Sequence, residues 1–385
     1  MTKDGTGRIG RVRRRLGTVV LAGCGVAAMA GVGSATAAEV GPLTRITGGS
    51  PFAGCTADNV AGQDGTVYRG TEIEPWVDAN PTDPRNLIAG WQQDRWDNGG
   101  GRGNPAAVSK DGGASWRIVT LPKASVCTGG TYLRNSDPWV SFSPNGTAYY
   151  MHLAFDPDLP SGLFGRNAML VNRSRDGGLT WGDPVALIRD PAGQALNDKN
   201  SLTADPTNPS FAYAVWDRLE DFTIGPAAKA AAGAAAVADG RRPGMDGLAL
   251  TRERVKRLKA QAKSAAAQAT GPVFFKGPTY LARTTNGGRS WEPAKVIYDP
   301  GNNRQTIGNI VDVLPNGTVI DFFVDILQNG ALRLALLRST DKGRTFERRP
   351  TYIVTVSDSL TGTITPDQLE GVRDANILFS VAVNR

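Results

Sequence analysis

The 385-residue chain is poor in the side chains that most enzymes use for metal or nucleophile chemistry. It has one histidine, His152, and three cysteines, Cys24, Cys55 and Cys127. One imidazole excludes a metal site built on several histidines and leaves a His-dependent triad a single candidate. His152 sits mid-strand in Thr147-Ala-Tyr-Tyr-Met-His-Leu153, which reads as a packed position. No cysteine pair has zinc spacing, and no glycine-rich phosphate loop follows a strand. No metal site and no cofactor are expected, although calcium held by loop carboxylates and backbone oxygens stays open for an extracellular protein. Past about Val32 there is no apolar run long enough to span a bilayer.

The first residues read as a leader. Arg8, Arg11 and Arg13 to Arg15 precede an apolar run beginning at Leu16, and Ala35-Thr-Ala37 offers a cleavage site. Residues 1–37 are therefore expected to be a signal peptide, giving a secreted chain. Leu21-Ala-Gly-Cys24 leaves a lipid anchor on Cys24 as the alternative. The leader holds six Lys/Arg against Asp4, so five of the seven formal positive charges leave with it. Residues 222–270 hold nine Lys/Arg against Asp239, Asp246 and Glu253, so the rest of the mature chain is slightly acidic. The basic balance thus implies no nucleic-acid partner. Cys55 and Cys127 are the thiols left after cleavage, and they are expected to pair as a disulfide.

One pattern recurs four times: Ser109-Lys-Asp111-Gly-Gly-Ala-Ser-Trp116, Ser174-Arg-Asp176-Gly-Gly-Leu-Thr-Trp181, Thr284-Thr-Asn286-Gly-Gly-Arg-Ser-Trp291 and Ser339-Thr-Asp341-Lys-Gly-Arg-Thr-Phe346. Asp or Asn closes an Asx turn, glycine supplies the positive φ of a tight hairpin, and the aromatic wedges between sheets. Alternating strand pairs broken by Pro-x-Gly or Asn-Pro turns precede each copy, among them Glu74-Pro-Trp-Val and Asp137-Pro-Trp-Val. The pattern resembles the Asp-box, or BNR repeat, of sialidases and related β-propellers.

That resemblance implies an all-β propeller of four-stranded antiparallel blades, six-bladed in the sialidase type, over residues 71–385 after an entry segment at 38–70. About four blades are complete, and a fifth starts at Asp374-Ala-Asn-Ile-Leu-Phe-Ser-Val-Ala-Val383, so the chain looks C-terminally incomplete. The Ala-rich, basic stretch 222–270 reads as a helical or disordered insert between the second and third strands of the third blade.

In this family the Asp-box hairpins rim one face and ligands bind the other. Reading the second face off this chain gives Glu72, Glu74, Gln92, Asp94, Arg95, Arg134, Asp137, Asp198, Lys199, Asp217, Arg218, Glu220, Asp221, Arg304, Asp325, Arg373 and Asp374. Carboxylates beside guanidinium groups suit acidic or hydroxyl-rich sugars. Sialidases grip the sugar carboxylate with three arginines and use an Asp acid/base and a Tyr nucleophile. Arg95, Arg218 and Arg304 are the arginine candidates and Asp94 or Asp137 the acid, with Glu74, Arg134, Asp217 and Asp325 assigned to substrate binding. The family's Phe/Tyr-Arg-Ile-Pro motif is missing; Arg45-Ile-Thr lacks its proline. The resemblance therefore implies a secreted exo-α-sialidase or related glycosidase acting on an extracellular glycan or glycoprotein. A non-catalytic binding propeller and an inactive truncated form are the alternatives. The oligomeric state is not readable.

Overall fold

The computed structural model describes residues 43–59, 63, 65–158, 164–221, 275–356 and 379–383. The leader, the 222–270 insert, Arg373 and Asp374 lie outside the described residues. Within them the chain is all-β, and its helical pieces are two 3-10 turns at Ala57–Asn59 and Val126–Thr128.

Alternating apolar residues and local turns build four successive four-stranded antiparallel sheets of the same order, the first two of them continuous through one short strand as a nine-stranded array. The first contains β1 (Val67–Ala79), β2 (Leu87–Trp96), β4 (Ala106–Ser109) and β5 (Arg117–Val119); the short β3 (Gly101–Gly103) ties β2 to the next sheet. The second is β6 (Arg134–Phe142), β7 (Ala148–Phe155), β8 (Asn167–Ser174) and β9 (Val185–Asp190). The third is β10 (Leu196–Ala204), β11 (Ala212–Asp221), β13 (Thr279–Thr284) and β14 (Lys295–Tyr298), with β12 (Phe275–Lys276) also paired to β11. The fourth is β15 (Gln305–Val313), β16 (Val319–Ile326), β17 (Leu332–Ser339) and β18 (Thr351–Val356). The first sheet starts at Val67, so its opening strand takes in four residues assigned by sequence to the entry segment.

The first strands lie side by side and are laced together. Phe142 N donates to Asp78 Oδ2 at 2.8 Å, Ala204 N to Ser141 Oγ at 3.1 Å, and Val311 N to Ser201 Oγ at 2.9 Å. Between them runs a cleft of about 270 Å³, walled by Trp76, Trp139, Leu202 and Val311 and entered by Val381. Apolar layers separate neighbouring sheets; one joins Tyr149, Met151 and Val171 to Leu202, Ala214 and Trp216.

The four repeated turns fold alike, in the third-to-fourth strand connection of each sheet. In the first, Gly113 N donates to Ser109 Oγ at 2.8 Å and Ser115 N to Asp111 Oδ1 at 2.9 Å. The same bonds recur at Gly178 and Thr180, at Gly288 and Ser290, and at Gly343 and Thr345. The donors from Ser115, with that of Ser109, hold Asp111 down at about 2. Trp181, Trp291 and Phe346 each pack against the preceding sheet. Trp116 packs with Ile46 of the entry segment instead.

Cys55 and Cys127 are joined, with Cα atoms 5.2 Å apart and a sequence separation of 72. Closing a loop of that size stabilises by about 4 kcal/mol on the chain-entropy model. Converting both cysteines to serine is expected to lower the urea-unfolding free energy by about that amount, and reductant is expected to reproduce the shift in the parent and leave the variant unmoved.

Candidate functional site

Each first strand carries a bulge at the same level. The ladder slips between Ile73 and Trp76 in β1, Ser136 and Trp139 in β6, Asp198 and Ser201 in β10, and Ile307 and Ile310 in β15. At the slip the backbone turns left-handed: Glu74 (φ 54°), Asp137 (φ 51°), Lys199 (φ 46°) and Gly308 (φ 70°). A left-handed conformation costs a non-glycine residue about 1–2 kcal/mol, so three such residues held in register mark a functional candidate.

The bulge residues converge. Lys199 Nζ lies 3.5 Å from Asp137 Oδ2 and 3.6 Å from Glu74 Oε1. Asp137 Oδ2 also accepts from Lys199 N at 3.0 Å, and Ser136 Oγ donates to Asp137 Oδ1 at 2.6 Å. The carboxyl groups of Glu74 and Asp137 lie within hydrogen-bonding reach of each other. Gln92 reaches Ser136 Oγ at 2.7 Å and Glu74 Oε2 at 3.5 Å, and its own Oε1 accepts from Arg95 at 2.6 Å. Asp217 Oδ1 accepts from Gly308 N at 3.2 Å, so each of these two bulge amides is held by a carboxylate of the sheet before it. Directly beyond, Trp76 stacks on Trp139 with centroids 3.6 Å apart.

Burial and mutual repulsion raise three of these carboxyls, while an ammonium and a hydroxyl lower the fourth. Glu74 rises through desolvation and the charge of Asp137. Asp198 rises to about 7 for the same two reasons, and Asp217 is pushed well up by burial and Asp198. Burial alone would raise Asp137 too, but the Lys199 ammonium and the Ser136 hydroxyl outweigh it and hold it below the ordinary range. The cluster therefore sets carboxyls that hold their protons more tightly than usual next to one that releases its proton early, the arrangement acid–base chemistry requires. Glu74 remains open to solvent, with 34% of its side-chain surface exposed.

The other sequence-derived candidates are engaged elsewhere. Asp94 is fully buried and accepts from Ser50 Oγ at 2.6 Å, Gly70 N at 2.8 Å and Arg102 at 3.3 Å, tying the entry segment to the first sheet. Arg134 is enclosed over Trp96 and donates to Gln63 at 2.6 Å and Gly99 O at 2.6 Å. Arg218 grips Asp190 through two bonds of 2.8 and 3.2 Å, contacts Glu220 and lies over Tyr280. Arg304 pairs with Asp325 at 2.6 Å, where the Tyr298 and Tyr352 hydroxyls also donate, at 3.2 and 2.8 Å. The structure thus brings Glu74, Asp137, Asp217 and Arg95 to the cluster and gives Arg134, Arg218 and Arg304 protein partners. Asp198 and Lys199, which sequence placed on this face without a role, are central to it. Their signal was positional: Lys199-Asn200 occupies the bulge that Glu74-Pro75 and Asp137-Pro138 occupy.

Among the described residues no group of three or more His, Cys, Asp or Glu side chains is arranged to hold a metal ion, and no helix is long and apolar enough to cross a membrane. His152 is buried with neither ring nitrogen bonded, and burial lowers it to about 3.

No family model and no curated protein matches this chain. Among solved structures it is similar to an α-L-arabinanase of Penicillium chrysogenum, at 15% identity over 75% of this chain and 70% of that one, with a TM-score of 0.46. An α-L-arabinofuranosidase of Fusarium graminearum gives 15% identity, 74% and 66% coverage and a TM-score of 0.43. A sialidase of Trypanosoma rangeli gives 13% identity, 73% and 38% coverage and a TM-score of 0.39.

Proposed function

We propose that the four sheets are consecutive blades of a sialidase-like, six-bladed type of β-propeller, and that the chain is a glycoside hydrolase acting on terminal neutral sugars of an extracellular glycan or glycoprotein. The observation that carries this reading is the Glu74–Asp137 carboxyl pair held against Lys199 on strained bulges. Two carboxyls within hydrogen-bonding reach are closer than the roughly 5–9.5 Å at which separate acid and base groups flank a glycosidic bond. They act as one proton-holding unit. Glu74 gives its proton to the leaving oxygen as the C–O bond breaks, Asp137 faces the positive charge that develops at the sugar carbon, and the attacking water returns a proton to Glu74.

Charge sets the substrate class. The cluster's cations, Lys199 and Arg95, are held by Asp137 and Glu74 and by Gln92, while Arg134, Arg218 and Arg304 are bound to protein acceptors. Among the described residues no trio of arginines converges on the cluster to grip a sugar carboxylate, so the reading departs from a sialidase toward neutral sugars. The Cys55–Cys127 bond and the leader-like N-terminus support action outside the cytosol.

The test is a set of aryl glycosides comprising neutral pentosides, neutral hexosides and a sialoside. Turnover of a neutral glycoside, lost in Glu74→Gln, is expected. Sialoside turnover would overturn the neutral-sugar assignment. Glycan binding without turnover of any member would leave a non-catalytic binding propeller.

A further inference from the structure

Two of the three junctions between sheets share one Tyr–Arg frame, and one of those two is missing its negative charges. At the junction of the third and fourth sheets, Tyr213 pairs across the ladder with Arg283, and Arg283 also bonds Lys342 O of the next turn. Two carboxylates neutralise that group. Glu292 takes Arg283 through bonds of 2.7 and 3.0 Å, and Asp205 accepts from Tyr213 Oη at 3.3 Å and Lys342 Nζ at 2.9 Å.

The junction of the second and third sheets has the same frame. Tyr149 pairs with Arg173, and Arg173 bonds Gly287 O at 2.7 Å. Here Gly182 stands where Glu292 stands, since Gly182 N bonds Arg173 O as Glu292 N bonds Arg283 O. Ser143 stands where Asp205 stands, each opening the turn after its first strand. Both carboxylates are therefore gone, and the groups they would serve are left over. The Tyr149 hydroxyl and Ser143 Oγ are buried without a hydrogen-bond partner. Arg173, Arg175 and Arg289 line one cleft of about 360 Å³ with Tyr149 and Trp291. Asp183, the carboxylate there, is paired with Lys123. Burial depresses Arg173, the charges of Arg175 and Arg289 add to it, and no carboxylate of the described residues is paired with the three guanidinium groups.

We propose that this cleft is an anion site, taking the carboxylate or sulfate oxygens of a small ligand in the place of the two carboxylates that the next junction supplies from the chain. Guanidinium forks suit such planar or tetrahedral oxyanions. Inorganic sulfate and an acidic monosaccharide share this chemistry, and the cleft admits a sugar ring against Trp291. The site lies by the repeated turns, at the strand ends opposite the bulges, and does not depend on the glycoside-cleaving reading.

Calorimetric titration at constant ionic strength with sodium sulfate, glucuronate and glucose tests it. Sulfate or glucuronate is expected to bind and glucose to show no heat; tighter binding of glucuronate assigns the site to acidic sugars, and binding of sulfate alone to the free anion. Gly182→Glu restores the missing carboxylate, and a Cβ there meets nothing nearer than Arg173 O at 3.7 Å. That variant is expected to lose binding tenfold or more. The exposed pair Arg175→Gln with Arg289→Gln provides a second route to the same loss without touching the core. Absence of anion binding by the parent, or binding that survives both variants, overturns the proposal.

Discussion

Asp137→Asn is expected to reduce kcat/KM on a neutral aryl glycoside by about 10³-fold, near the middle of the range for a positioned acid–base group. The amide keeps the shape but removes the negative charge that faces Lys199 and that keeps the proton on Glu74. The pH profile separates this from simple misfolding. The parent is expected to follow a bell. Its acid limb sits low because Asp137 ionises below the ordinary range, and its alkaline limb lies above the ordinary carboxylate range, where Glu74 gives up its proton. In the variant the acid limb is expected to vanish. Retention of an unchanged bell would remove Asp137 from the chemistry.

The same groups set the pH dependence of folding. Glu74, Asp198 and Asp217 hold protons in the native state that the unfolded chain has already released. Their contribution is complete below the unfolded carboxylate range and fades as pH rises through the native value, about 7 for Asp198. Asp137 works the other way and costs stability only in acid.

An effect on stability as large as that of the disulfide is expected at Arg218. Arg218 and Asp190 retain only 6% and 5% of their side-chain surface, and each is the other's main partner. Arg218→Ala leaves the buried Asp190 carboxylate without its counter-charge, a change worth about 3–5 kcal/mol, to be read from the urea midpoint. A double change, Arg218→Met with Asp190→Leu, is expected to recover most of it, because removing both charges removes the desolvation cost as well. A midpoint within error of the parent for Arg218→Ala would show that the pair is not structural and return Arg218 to the list of ligand-binding candidates.

Much of the architecture was legible because it is local. Strand alternation, the four Ser/Thr-x-Asp turns and the pairing of Cys55 with Cys127 depend on residues close in sequence or on a count. Glu74 and Asp137 were legible for a related reason, since each precedes Pro-Trp-Val. The third bulge carries no proline, so Lys199 did not stand out. Asp94, Arg134, Arg218 and Arg304 look alike as sequence, an acid or a base just before or after a strand. Their different occupations come from Ser50, Gln63, Asp190 and Asp325, partners 21 to 71 residues away. No local pattern encodes such distances.

The position of the disulfide has a consequence for biogenesis. Cys55 precedes the first sheet and Cys127 follows it, so every ladder of that sheet except its tie to β6 lies inside the covalent ring. A chain emerging amino end first presents both sulfurs before the second sheet has been made. The earliest sheet is thereby able to lock as a self-contained nucleus, and the later ones dock onto a template whose edges are already fixed.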